Sequence, residues 1–203
     1  MRGKIVRLFK HLQVITRHKY YVAKYCFKFH MYLRGILHDV SKYSPAELFP
    51  SAHYFTGTMS PQVRERQDYA GYSYMSVHHC CRNTHHYQYH VDFTEGMILV
   101  IAMPYKDVLE MVCDSLAASI VYAGEANYNR TIPYDYFKQH MNGYAMHPAT
   151  KAFLLYVFKE YEANDFKNLK HSILAKKYQE YIQMYDKVYK IPLDLRGLEP
   201  QED

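Results

Sequence analysis

An adjacent histidine-aspartate pair, His38-Asp39, follows Ile36 and Leu37 in the segment Gly35-Ile-Leu-His-Asp-Val-Ser-Lys. The apolar residues before it predict that the pair lies at the edge of a core. A carboxylate held there needs a cation or hydrogen-bond donors to offset its desolvation. Imidazole and carboxylate are also common ligands of divalent metal ions. The pair therefore favours a fold that brings more ligands to this point, and a capping turn on the surface is the alternative.

Further candidate ligands lie in three other segments of the chain. His18 lies upstream of the pair, and Asp114 interrupts the small and apolar stretch Met111-Val-Cys-Asp-Ser-Leu-Ala-Ala. Five of the 13 histidines fall between positions 78 and 90. The order along the chain is therefore His, His-Asp, His, Asp.

This order resembles the HD superfamily of all-helical, metal-dependent phosphohydrolases, over roughly residues 14–120. The run HDVSK is similar to the HD-x-x-K form of that superfamily. Together with the run RNTHH, the run HDVSKYSPAEL resembles more closely a group of small, uncharacterised bacterial and phage proteins. The resemblance implies an all-α, HD-domain-like helical bundle, a metal site and a phosphoester substrate of unspecified identity.

Length and composition predict a single globular domain over residues 1–190 and a flexible C-terminal tail over 191–203. The apolar run 97–103 is too short for a membrane span, which needs about 18 residues. Basic residues interrupt any signal-peptide core, and the four cysteines match neither a disulfide framework nor paired C-x-x-C motifs. We therefore expect a cytoplasmic protein with no membrane partner.

The net charge of +5 is compatible with an anionic substrate or with weak nucleic-acid contact. Most of the 23 tyrosines and 10 phenylalanines fall at helical spacing among aliphatic residues, as core residues do. A nucleic-acid partner is therefore possible but not favoured.

Hydrophobic spacing predicts a first helix from Ile5 to Leu33, with Gly35 as its stop. Ser44-Pro45 predicts a helix start with Glu47 completing a capping box, and Ser60-Pro61 starts a helix that runs toward the histidine cluster. Later helices are predicted from Pro104 to near Gly124 and over about 134–141, 148–163 and 165–189. No strand-like alternation with turn dipeptides is visible, so the sequence predicts an all-α fold.

The sequence leaves alternatives open for His18 and for the His38-Asp39 pair. His18 corresponds to the first histidine of the resemblance, but His11 and His30 lie in the same predicted helix, and a lone helical histidine is usually a solvated or boundary residue. His38 and Asp39 would point about 100° apart on a regular helix. Both reach one ion only at a helix end or irregularity, which the nearby Gly35 favours.

The histidine cluster allows two registers. Two faces of a continuous helix are available: His79, Asn83, His86 and His90, or His78, Arg82, His85 and Tyr89. We favour His79 as a ligand and His85 or His86 as a ligand of a second ion, with Asn83 orienting an imidazole or the substrate. A helix that ends by Asn83 would remove this argument, and a surface histidine patch is the alternative.

Asp107 competes with Asp114, because the two lie seven residues apart on nearly the same face. Asp107 falls in the first turn of its predicted helix, where the helix dipole explains an aspartate. Asp114 lies among apolar residues, where an unpaired carboxylate is costly. The sequence therefore favours Asp114 as the closing ligand.

Lys42 lies one turn beyond His38, so its ammonium is placed to reach a phosphate at the metal site. The resemblance also implies that it is the substrate-contacting lysine, and a solvated lysine is the alternative. Arg82, Arg17 and Arg66 are weaker candidates for phosphate contacts.

Together these features predict a metal-dependent phosphohydrolase. One divalent ion would be held by His18, His38, Asp39 and Asp114, and a second by His79 with His85 or His86, with Asp39 as the bridge. Asp39 and Lys42 are the predicted catalytic residues, and Lys42, Arg82 and Asn83 the predicted substrate contacts.

The expected ions are Mn, Fe, Co, Ni, Zn or Mg, and the expected substrate is a small phosphorylated molecule such as a nucleotide. The alternatives are an HD-type di-iron oxygenase and a non-catalytic module that binds nucleic acid or protein.

Overall fold

The computed structural model describes residues 2–69 and 71–194. Within this part of the chain the protein is largely helical, which confirms the predicted all-α class. The described residues form nine α-helices: α1 (Arg2–Lys28), α2 (Tyr32–Leu37), α3 (Pro45–Tyr54), α4 (Pro61–Asp68), α5 (Tyr74–Cys80), α6 (Tyr105–Ala123), α7 (Ile132–His140), α8 (Pro148–Asn164) and α9 (His171–Met184).

Helix α6 forms the centre of the core. It packs against α1 on one side and α8 on another, because its stripe of Val108, Val112 and Leu116 is fully buried. Phe153 of α8 is buried against the same core. Burying one such side chain contributes about 1.5–3 kcal/mol. The predicted limits of α6 are confirmed, with Pro104 at its N-cap and Gly124 at its C-cap in a positive-φ conformation.

The predicted end of the first helix is wrong. Helix α1 ends at Lys28, the chain turns through His30 at a φ of 57°, and Gly35 lies inside α2. A Cβ atom at Gly35 would lie 2.9 Å from Cβ of Cys26 and 3.0 Å from Cα of Ala23. Gly35 therefore permits close packing of α2 on α1 and does not end a helix.

A small antiparallel sheet differs from the prediction that no strands form. Its strands are β1 (Val91–Thr94), β2 (Met97–Ile101) and β3 (Val188–Pro192), in the order β1-β2-β3. The apolar run 97–103 supplies β2, and Gly96 takes the positive φ of the turn between β1 and β2.

Strand β3 lies where the sequence predicts the end of the last helix and the start of a flexible tail. The last helix ends at Met184 and not near residue 189. Ile191 of the predicted tail pairs with Ile98, and Pro192 with Met97. Residues 195–203 of that tail lie outside the described residues.

The predicted capping box at α3 is wrong. Ser44 occupies the N-cap position and Pro45 begins the helix, but Ser44 makes no side-chain capping bond. Glu47 is buried and contacts two imidazoles instead. No helix in the described ranges is long and apolar enough to cross a bilayer.

Candidate metal centre

The His38-Asp39 pair lies where the helical backbone is broken. His38 follows α2 in an extended conformation, and Asp39 adopts a left-handed conformation with a φ of 52° before a short 3₁₀-helix (Val40–Tyr43). Aspartate is one of the residues that tolerates positive φ best. Both side chains are buried. The irregularity required for two neighbouring ligands is therefore present, at Asp39 itself and not at Gly35.

A first set of potential ligands joins α1, the His38-Asp39 break and α6. Its members are His18, His38, Asp39 and Asp114, each with one ligand atom within 4.8 Å of the others. Nε2 of His38 lies 3.2 Å from Oδ2 of Asp39 and 3.5 Å from Oδ1 of Asp114. Nε2 of His18 lies 2.9 Å from the same Asp114 oxygen.

A second set uses the other oxygen of Asp39. It consists of Asp39, His79, His85 and His86, again with one ligand atom of each within 4.8 Å of the others. Oδ1 of Asp39 lies 3.3 Å from Nε2 of His79 and 3.4 Å from Nε2 of His85. The structure thus brings together all seven side chains predicted as ligands, with Asp39 common to both sets.

The route by which the histidines converge differs from the predicted one. Helix α5 ends at Cys80, so the prediction of one continuous helix through residues 79–90 is wrong. His79 lies in the last turn of α5, whereas His85 and His86 lie in the irregular segment that follows. The turn, and not a helical arc, places the three imidazoles around Asp39.

The spacing of these atoms fits metal coordination. Two ligand atoms that each lie about 2.1 Å from one ion are about 3.0–3.4 Å apart at coordination angles near 90–109°. The five distances above span 2.9–3.5 Å.

Several of these atoms are also buried and form no hydrogen bond with a described residue outside the two ligand sets, apart from the ion pair of Lys42 with Oδ2 of Asp39. They are Nε2 of His18, His38, His85 and His86, and both oxygens of Asp39. Buried polar atoms are rarely left without a partner. The residues therefore fit one or two divalent ions.

Two buried glutamates contact the outer nitrogens of the imidazoles. Nδ1 of His38 donates to Glu110 at 2.9 Å, and Nδ1 of His79 donates to Glu47 at 2.9 Å. A carboxylate on the outer nitrogen holds the ring so that its other nitrogen faces the metal, and it strengthens the ligand. The sequence interpretation missed both roles, although Asp107, Glu110 and Asp114 share one helical face at spacings of three and four.

Asp107 is not explained by the helix dipole alone. It is buried, pairs with Arg34 and accepts a hydrogen bond from Thr84 at 2.9 Å. Arg34 also contacts Glu110 at 2.9 Å. Asp107 therefore belongs to the network behind Glu110 and lies outside both ligand sets.

Burial and neighbouring charges set the protonation of the centre. Burial opposes ionisation of Asp39, but Lys42 and His38 hold the pKa of Asp39 well below its usual value. Burial likewise opposes ionisation of Asp114, yet His18 and His38 lower its pKa strongly. Burial lowers the pKa of His85 to about 4. Neutral His85 and ionised aspartates are the protonation states that bind metal.

Lys42 lies at the edge of the centre. Its ammonium is 2.5 Å from Oδ2 of Asp39, and its side chain is 28% exposed. Asn83 donates to the backbone oxygen of His79 at 2.8 Å and to Ser41 at 3.3 Å, which fits the orienting role better than a substrate contact. Arg82 is exposed and donates to the backbone oxygen of His78 at 3.3 Å.

The competing histidines lie elsewhere. His11 contacts Ser51 at 2.8 Å, and His30 is exposed beside Tyr32. Neither belongs to a ligand set. His78 contacts the second oxygen of Glu47 at 2.9 Å, so it supports the position of His79 from outside the sets.

The fold and site define a largely helical protein with two adjoining sets of potential metal ligands that share Asp39. A third, fully buried group of His38, His85 and Glu110 overlaps both sets. The chain belongs to a family of unknown function, DUF5662, whose model matches residues 7–160. That span contains every member of both sets. No curated protein and no solved structure matches the chain. The resemblance to the HD superfamily therefore stays a prediction.

Proposed function

We propose that this protein is a metal-dependent phosphohydrolase that cleaves a phosphomonoester or phosphodiester, with nucleotides as the substrate class. The observation that carries the proposal is the position of Asp39 between two ligand sets, with the ammonium of Lys42 beside it. Two ions that share a carboxylate are a common arrangement in enzymes that act on phosphate esters.

The donor atoms suit transition-metal ions. His18, His38, Asp39 and Asp114 would hold the first ion, and Asp39 with His79, His85 and His86 the second. Imidazole-rich sets favour Mn, Fe, Co, Ni or Zn over Mg. When bound, such ions supply an activated water and Lewis acidity toward a phosphoryl oxygen.

Exposure of the ligands indicates the side from which substrate enters. The side chains of Asp114 and Lys42 are 20% and 28% exposed, whereas those of His38, Asp39, His79 and His85 are buried. A phosphate entering past Asp114 would meet the Lys42 ammonium, which would offset negative charge on the phosphoryl oxygens. We also propose a cytoplasmic location, which the four cysteines without a disulfide support.

Elemental analysis of protein purified without chelator tests the proposal. We expect one or two transition-metal equivalents per chain, near-complete loss in Asp39→Ala, and retention in a matched surface variant, Asp135→Ala. A metal-loaded sample should then cleave a member of a panel of nucleoside phosphates and cyclic dinucleotides, supplied with Mn or Co. Less than about a tenth of an equivalent, with no uptake of added Mn, Fe, Co or Ni, contradicts the proposal and favours a non-catalytic binding module.

A second candidate is a di-iron oxygenase of the HD type. The nitrogen-rich ligand set, with five imidazoles in two groups, favours it. Oxygen uptake by the iron-loaded protein with an organic substrate, without cleavage of any phosphoester, would establish this alternative over hydrolysis.

A further inference from the structure

A basic groove lies apart from the ligand sets, between the α1–α2 turn, the start of α6 and the α8–α9 connection. Its volume is about 1070 Å³, and its 14 lining residues contain five lysines or arginines and no aspartate or glutamate. The five are Lys28, Arg34, Lys106, Lys167 and Lys170. The whole chain has 25 basic and 20 acidic residues. The absence of acidic residues from this surface is therefore a local feature.

The lysines of the groove have no acidic partners among the described residues. Among the described residues, the only lysines in ion pairs are Lys42 and Lys177. Lys28 lies 4.7 Å over the ring of Phe166, and the other groove lysines are exposed. These clustered positive charges repel one another and create a positive potential at the groove. An anionic ligand would therefore be attracted strongly to this surface.

Arg34 adds a directional donor to the groove. Its contacts with Asp107 and Glu110 both use Nη1, and its side chain is 35% exposed. Nε and Nη2 make no hydrogen bond with any described residue. The arginine fork matches two oxygens of a phosphate. Buried carboxylates thus hold Arg34 in place while half of its fork stays available.

Aromatic side chains accompany these cations. Tyr32 is 51% exposed, and its ring is held edge-on against Phe27 with 5.3 Å between centroids. A cationic groove with an exposed aromatic ring is typical of proteins that bind single-stranded nucleic acids, in which bases stack on the aromatic ring.

We propose that this groove binds a segment of single-stranded nucleic acid, with phosphates at the groove lysines and Arg34 and a base stacked on Tyr32. The proposal is independent of the phosphohydrolase proposal, because no member of the two ligand sets lines the groove.

Fluorescence anisotropy with a labelled 12-nucleotide oligo-dT, measured with EDTA present, tests the proposal. Binding should weaken steeply between 50 and 200 mM salt. The double variant Lys167→Glu/Lys170→Glu should bind at least tenfold more weakly, and Tyr32→Ala should lose affinity that Tyr32→Phe retains. Lys4→Glu/Lys10→Glu is the matched control, since it makes the same charge change on exposed residues of α1. Lys10 lies about 27 Å along α1 from Lys28, and the control should change affinity less than twofold.

Four results would overturn the proposal. Equal losses in the two double variants would mean that overall charge, and not the groove, attracts the oligonucleotide. Full competition by pyrophosphate at equal phosphate concentration, or tighter binding to phosphatidylserine vesicles than to oligo-dT, would assign the groove to a small phosphate ligand or to a lipid surface. Oligo-dT binding that is present without chelator but is lost when EDTA is added would place the strand at the metal centre instead.

Discussion

Oε1 of Glu110 lies 2.9 Å from Nδ1 of His38, which leaves Nε2 of the same ring facing Asp39 and Asp114. Glu110 is itself held by Arg34 at 2.9 Å. A chain of three side chains therefore runs from the basic groove to a candidate ligand, and it fixes the orientation of that ligand before any ion binds.

Glu110→Gln should weaken metal binding about 10- to 100-fold, because the outer carboxylate both orients His38 and makes it a stronger ligand. Competition with a chelator of known affinity measures this change. Glu95→Gln, in the exposed turn between β1 and β2, makes the same chemical change away from the site and should have no effect. Equal affinities in the two variants would mean that Glu110 has no orienting role.

Lys42→Ala separates substrate binding from metal binding. Its ammonium contacts Oδ2 of Asp39, so its removal should leave metal affinity unchanged or slightly higher. Hydrolysis of a competent phosphoester should fall about tenfold or more, since a charge-assisted contact in the transition state is lost. Steady-state kinetics and metal content, compared with Lys10→Ala, measure both effects. Loss of metal together with activity would show that Lys42 only supports Asp39.

Some features of this fold were predictable because local sequence encodes them. Pro104 and Gly124 delimit α6 through backbone rules, and the cost of burying Asp114 among apolar residues identified it as a candidate ligand. Other features depend on distant partners. Glu47 has the spacing of a capping residue, but His78 and His79, more than 30 residues away, take its carboxylate. Strand β3 pairs with β2 about 90 residues earlier, which no local periodicity encodes.

Metal binding should strengthen as pH rises. Burial disfavours a charged His38, but Asp39, Asp114 and Glu110 together raise its pKa well above the usual value in the metal-free protein. An ion at Nε2 must therefore displace a proton, so affinity should rise by up to about tenfold per pH unit below that raised pKa.

Calorimetric titration in two buffers of different ionisation enthalpy, at pH 6, 7 and 8, measures the proton release. The stability of the metal-free fold should change with pH in the opposite direction to metal affinity. Stabilisation by the protonated His38 is present below the unfolded pKa and is lost as pH rises through the folded pKa. Metal binding without proton release at pH 6 would contradict this account.

Gly35→Ala should destabilise the protein, although alanine is favoured over glycine in helices by about 1 kcal/mol. The added Cβ would meet Cys26 Cβ at 2.9 Å and Ala23 Cα at 3.0 Å, and the second of these is backbone that cannot rotate away. The resulting overpacking should cost about 1–3 kcal/mol of unfolding free energy. Gly3→Ala is the matched control, because nothing lies within 4 Å of its added Cβ, and it should be neutral or stabilising. Denaturant unfolding measures both variants. A Gly35→Ala protein as stable as the Gly3→Ala control would contradict the close packing of α2 on α1.

The same substitution should also weaken metal binding, because α2 leads directly into His38 and the added Cβ would displace that helix.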